Sequence, residues 1–326
     1  MSGLARVVGL FLACAGTGQA AAACSTGNAQ SADFGAVGSV ALGAAAQTTS
    51  TRDAGIECSG QVLQPWEAQD TYFRVTFSSA NAGLLGPTGD LLNYQLYASA
   101  DRNNGAALIP AVPLDLVGQG VIDALGLLQS ASGKAMPLYL AAAGGSNVAA
   151  GNYEDTATLA WEWRYCTASS GAGVCSSYDT GSGVTTVPVN LVVQNDCSIA
   201  APDLDFGTAA LPSAFAVVNG SISVTCTKGS AYSVGLGDGQ NLAAARRNMR
   251  SAQGELLAYD LFQGVSGIRW GGVDTERRSS AGADVNPGPG AGVGRQVFNY
   301  NAKVYADQAP VPVGRYVDTV LVDIAF

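Results

Sequence analysis

Catalysis needs side chains that exchange protons, electrons or ligands, and this chain is short of them. Its 326 residues include no histidine. That removes Ser–His–Asp and Cys–His nucleophilic arrangements and the commonest zinc ligand. Asp and Glu total 25, yet no spacing singles out a carboxylate pair suited to glycoside hydrolysis. The run GPGAGVG, Gly288 to Gly294, lacks the strand-then-helix setting of a phosphate loop and reads as a flexible loop. In AAARRNMR, Arg246, Arg247 and Arg250 read as a solvated strand or turn with Met249 pointing inward; the alternative is contact with a neighbouring subunit. TLAWEWRYC puts Leu159, Trp161, Trp163 and Tyr165 on one strand face, which suits a core. The alternative is a polar or sugar pocket lined by Trp161, Trp163, Tyr165 and Asp155. Asp155 recurs as Asp318 in the second half, which suggests a structural role such as anchoring a turn. The expectation is a non-enzyme without cofactor or metal.

The residues with chemistry to do are the cysteines. The start, MSGLARVVGLFLACAGTGQAAAAC, carries Arg6, an apolar run from Val7 to Ala15 and small residues ending at Ala23. That is the layout of a secretory signal over residues 1–23, cleaved just before Cys24. Lipid attachment at Cys14 is the weaker reading, because Phe11 fits such a box poorly. Cys14 leaves with the signal. Cys24, Cys58, Cys166, Cys175, Cys197 and Cys226 remain, and an even count in an exported chain favours disulfides.

Which elements hold these residues? Charged residues are 13% and glycines number 42. Many short alternating runs separated by Gly, Ser, Asn and Asp indicate an all-β sandwich or barrel. Net charge is -9 with 16 Lys plus Arg and no basic stripe, so nucleic acid is not an expected partner. No segment after the leader approaches the ~20 uninterrupted apolar residues of a membrane helix.

The two halves repeat one another in order. ADFGAV (Ala32 to Val37) answers LDFGTA (Leu204 to Ala209), and IECSG (Ile56 to Gly60) answers VTCTKG (Val224 to Gly229). LLNYQLY (Leu91 to Tyr97) answers LLAYDLF (Leu256 to Phe262), and GNYEDTATLAW (Gly151 to Trp161) answers GRYVDTVLVDI (Gly314 to Ile324). The offset drifts slowly from 173 at Cys24/Cys197 to 163 at Tyr153/Tyr316. The repeat pairs Cys24 with Cys58 and Cys197 with Cys226, leaving Cys166 and Cys175 to close a short hairpin. Each long-loop bridge would stabilise its domain by roughly 3–4 kcal/mol in the chain-entropy model.

The order Cys, DFG, CTKG, AYSVGL, RRNM, LLAYDLF, RWGG and GRYVDTVLVDI resembles the spore coat protein U domain family, which includes subunits of archaic, Csu-type chaperone–usher pili. The second half matches throughout. The first matches at both ends and lacks the RRNM and RWGG counterparts. The resemblance implies two tandem immunoglobulin-like β-sandwiches, over residues 24–193 and 194–326, the C-terminal one lacking its last strand. It also implies a tip adhesin that attaches cells to an abiotic or host surface in biofilms; the alternative is a structural shaft or coat protein. Its partners would be a periplasmic pilus chaperone, an outer-membrane usher and an adjacent pilin donating a strand, with the protein exported through the periplasm to the pilus tip.

The residues themselves support the missing strand. After GNYEDTATLAW the first half continues through VTTVPVNLVV, where Val184, Val187, Val189, Leu191 and Val193 can close the sandwich. After GRYVDTVLVDI only Ala325 and Phe326 remain. Val320, Val322, Ile324 and Phe326 are therefore expected along the edge of an open groove. Cys24 lies next to the expected cleavage site, so no donor extension precedes it, which places the chain at the tip. The first half also carries apolar residues in connections: Val62, Leu63, Trp66, Leu84, Leu85, Pro87, Ile109, Pro110, Val112 and Pro113. These are expected to form hydrophobic surface-binding loops, unless they fold back onto the core. VIDALGLL, Val121 to Leu128, can form a short helix on the sandwich.

Overall fold

The computed structural model describes residues 23–59, 70–102, 106–117, 136–170 and 174–326. The leader, the loop residues Val62, Leu63 and Trp66, and the Val121–Leu128 stretch lie outside the described residues.

Alternating sequence becomes alternating burial, and strands are the dominant regular structure among the described residues. The first domain opens with β1 (Ala23–Thr26), β2 (Ala32–Gly38), the short helix α1 (Ser39–Ala44), β3 (Gln47–Ser50) and β4 (Ile56–Ser59). It continues through β5 (Tyr72–Ser79), β6 (Leu84–Leu85), β7 (Leu91–Leu92), β8 (Tyr94–Tyr97), β9 (Ala107–Leu108), β10 (Leu114–Asp115) and β11 (Tyr139–Ala142). A long hairpin of β12 (Gly151–Ser170) and β13 (Val174–Gln194) completes it. The second domain holds β14 (Cys197–Ala200), β15 (Val218–Cys226), β16 (Ser233–Leu236), β17 (Arg247–Ser251) and β18 (Leu256–Gln263). After these come β19 (Arg278–Ser279), β20 (Gln296–Val304), β21 (Tyr316–Val317) and β22 (Val322–Ala325).

Each domain is an immunoglobulin-like sandwich with its own core, one running from Ala32 to Val193 and one from Ile222 to Val304. In the first, a sheet of order β10-β5-β12-β13-β2 faces a sheet of order β3-β11-β8-β9. In the second, β14-β15-β20-β18-β17-β21 faces β19-β16-β22. The repeat seen in the sequence returns as pairing. Cys24 faces Cys58 across β1/β4, and Cys197 faces Cys226 across β14/β15. Both pairs form disulfides, and Cys166–Cys175 staples the far part of the β12–β13 hairpin. β12 pairs with β5 as β22 pairs with β16, and the β6–β7 hairpin answers β17–β18.

β13 is the element without a counterpart. It lies between β12, antiparallel along nearly its whole length, and β2, to which it runs parallel. Thr185, Val187, Val189, Leu191 and Val193 point inward and are buried. Val184 is 60% exposed, contrary to the sequence expectation. Thr185 takes the inward place because it shares the period-two phase of Val187 to Val193, and its hydroxyl is satisfied there: Trp161 Nε1 donates to Thr185 Oγ1 at 3.0 Å, and that hydroxyl donates to the Ala54 carbonyl at 2.8 Å.

Candidate functional site: an open groove in the second domain

The counterpart of β2 is Leu204–Ala209. It keeps the same turn: Gly207 N–H donates to Asp205 Oδ1 at 2.8 Å, as Gly35 donates to Asp33. Both glycines hold a φ of 74°, which favours glycine. Yet this segment pairs with no strand, whereas β2 pairs with β13. The counterpart of β12 is also altered. Where β12 runs unbroken, the second domain has β21, then Asp318–Leu321 outside any strand, then β22. Both departures follow from the absence of one neighbour, since a ladder has to be hydrogen-bonded to persist.

Between these two segments lies a groove of about 830 Å³. Its rims are Ala201–Thr208 and Gly314–Val320 with Val322, and its lining continues through Ile222, Met249, Leu257 and Leu261. In the first domain the same position, between β12 and β2, is occupied by β13. Val320 and Val322 line the groove as expected from the sequence. Ile324 and Phe326 do not. Ile324 is opposite Val234 and packs on the core beyond the groove, and Phe326 is 57% exposed.

The walls are braced by polar groups. Asp318 accepts from the Tyr259 hydroxyl at 2.7 Å and from the Gln240 N–H at 2.8 Å. Asp155 does the same in the first domain, accepting from Tyr94 OH at 2.6 Å and Asn81 N–H at 3.0 Å. The recurring aspartate therefore anchors a turn, and burial followed by the aspartate bond pushes both phenols above their ordinary pKa. Below the groove, Arg247 and Asp260 are fully buried and paired at 2.6 Å. Arg247 also donates to the Leu236, Gly237 and Trp270 carbonyls, tying the end of β16 to the rest of the domain. The expectation of solvated arginines fails at Arg247. Its parity with Met249, two residues on in the same strand, was the available signal.

The other expected site residues separate. Trp161, Trp163 and Tyr165 are buried core residues. Leu84 is buried as well, because it faces Leu92 across the β6–β7 hairpin on the core side. Leu85 is 41% exposed. Pro87 lies beside Gly151, where the turn meets the second domain. Ile109, Pro110, Val112 and Pro113 are exposed along the flank, with Pro110 bridged to Phe77. Register orients the rest. β12 starts opposite Val193, next to the second domain, and Arg164 near its other end faces Tyr72. Ser59 and Asp70, the flanks of the segment holding Val62, Leu63 and Trp66, therefore lie at the end away from the second domain.

A family model described as Spore Coat Protein U domain matches residues 12–160 and 184–323. The chain belongs to the spore coat protein U domain family. Among solved structures, the CsuC–CsuE chaperone–tip adhesion subunit pre-assembly complex, from archaic chaperone–usher Csu pili of Acinetobacter baumannii, is similar. It has TM-score 0.62 and 22% identity, covering 93% of this chain and 100% of that one. A chaperone–tip adhesin complex of CFA/I fimbriae biogenesis scores 0.27 at 10% identity, over 82% of this chain and 89% of that one, too low to bear on the fold. Comparison with curated protein sequences gave no match. The first likeness supports the sandwich fold. The two family matches end at counterpart positions, Ala160 and Asp323.

Proposed function

We propose that the chain is the tip adhesin of an archaic chaperone–usher pilus. Its second domain is completed by a strand from another polypeptide, and its first domain contacts the surface to which cells attach. One observation carries this reading: the second domain is open where β13 closes the first. Burying one apolar side chain is worth about 1.5–3 kcal/mol, so filling the groove with four or five is comparable to the whole stability of a typical single domain. An unpaired edge also templates aggregation. β-Strand addition meets both needs. A periplasmic chaperone fills the groove first, and an adjacent pilin replaces it at the outer-membrane usher. The first domain holds its own strand and has no place for a second. The similar A. baumannii complex, described as a chaperone with a tip subunit, agrees with this assignment.

The test uses the repeat. Phe326 is the counterpart of Trp163, so residues 164–194 appended after Phe326 continue the sandwich in register. The grafted chain unfolds at a clearly higher temperature and stays soluble without a chaperone. An unchanged midpoint removes the strand-accepting reading. Adhesion is tested separately. Leu63→Ser, Trp66→Ser and Ile109→Ser together abolish attachment to plastic while pili still assemble; normally piliated cells that attach as before refute the apolar contact.

A further inference from the structure

The junction between the two domains is short and made of matched contacts. Only Asn195 and Asp196 separate β13 from β14. Across it, Lys228 Nζ donates to Asp90 Oδ1 at 2.5 Å, and Ala149 bridges to Lys228. The Ser39 and Thr227 hydroxyls share a hydrogen bond of 2.6 Å, and Asn147 donates to the Ala291 carbonyl at 3.0 Å. Asp90 is presented by the turn Gly86–Asp90, in which Gly86 N–H donates to the Asp90 carbonyl and Gly89 N–H to that of Gly86.

The second domain repeats this turn at its opposite end. Ser251 N–H donates to the Glu255 carbonyl and Gly254 N–H to that of Ser251, so Glu255 is the counterpart of Asp90. Tyr316 OH donates to Pro312 O as Tyr153 OH donates to Ala149 O, so Pro312 answers Ala149. Glu255 is exposed and makes no ion pair among the described residues, although Arg250 flanks the same turn. Leu211, the counterpart of Ser39, is 50% exposed, and Val313 is fully exposed. A surface that seats a domain in the first half is thus repeated and left uncovered in the second.

The first junction says what the missing occupant is. By chain order, the closing half of β13 leads directly into the second domain; by packing, it belongs to the first. That is the position of a strand carried by one unit and seated in the unit before it.

We propose that the domain junction is a covalently fused copy of a subunit junction. The base of the second domain, centred on Glu255 with Leu211 and Val313, seats a further domain of this family. That domain presents a basic residue in the position of Lys228, two residues after its second half-cystine. Pro312 has no N–H, so Glu255 receives no bond of the kind Ala149 gives Asp90, and the incoming cation is its main partner. This inference rests on the strand-accepting reading of the groove.

The experiment extends the full chain with its own parts. Residues 164–326 follow Phe326, and residues 164–194 follow the second Phe326, so every groove is closed. Spin labels on the second and third domains report their distance distribution. The expected width equals that of the native junction, broadens with Glu255→Lys, and narrows again when Lys228→Glu is added in the appended copy. A raised unfolding midpoint with a broad distribution that ignores both reversals overturns the docking and leaves strand acceptance standing. An unchanged midpoint overturns both.

Discussion

Asp155 is the residue on which three hydrogen bonds of the first domain converge. Its Oδ2 accepts from Ser79 OH at 2.5 Å and Tyr94 OH at 2.6 Å, and its Oδ1 accepts from the Asn81 N–H. All three donors are satisfied by one buried carboxylate, and a hydrogen bond to a charged group contributes about 1.5–3 kcal/mol. Asp155→Ala therefore lowers the stability of the domain by at least about 3 kcal/mol, read as a shift in the urea unfolding midpoint. A neutral result would mean the carboxylate is free for a ligand, the role expected of it in a sugar pocket. Arg247 and Asp260 obey the same logic in the second domain. Removing either partner leaves a buried charge, which costs about 3–5 kcal/mol.

At the scale of elements, the strands, the repeat and the three disulfides were legible because each rests on local period or on matching residues. Three features were not. Leu84 and Leu85 are adjacent and equally apolar, so only the hairpin register tells which one is inside. VTTVPV offers β-branched residues on both faces, and only carrying the phase of Val187 to Val193 back along the strand puts Thr185 inside and Val184 outside. Ile324 shares the alternation of Val320, but alternation does not say where a groove ends. The groove itself was legible as a shortage: a closing strand in one half with no answer in the other. β13 gives this a direct check. Leu191 is buried opposite Tyr153 in the first core. Leu191→Ala costs about 2–5 kcal/mol. Because β13 occupies a strand-accepting site, a synthetic peptide of residues 184–194 then restores stability to the variant and leaves the parent chain unchanged. A variant destabilised but indifferent to the peptide would show that β13 is ordinary framework.

For the whole molecule, the question is whether the two sandwiches act as one rod. The Asp90–Lys228 pair is partly exposed, with side chains 15% and 43% accessible, and such pairs contribute little to folding. Its effect is therefore on orientation. The hydrogen bond from Lys228, joined by the N–H of Ala149, holds the Asp90 carboxyl below its ordinary value of 3.8. A depressed carboxylate contributes fully above the unfolded value and is lost as pH falls through the lower, folded one. From neutral pH to just above 4, the angle between the domains is fixed. Once pH falls below 3.8 and through that lower, folded value, the carboxylate takes up a proton, Lys228 loses its partner, and the junction loosens while both cores remain folded. Small-angle scattering across pH 7 to 2.5 measures this as a broader distribution of overall dimensions at the acid end, at constant circular dichroism. Lys228→Met removes the charge but keeps the length of the stem, so this chain is loose at every pH and its scattering no longer responds to acid. If the parent chain kept one set of dimensions throughout, or if Lys228→Met matched it at pH 7, the two-residue connection and the remaining contacts would suffice to hold the rod, and the ion pair would not set its geometry.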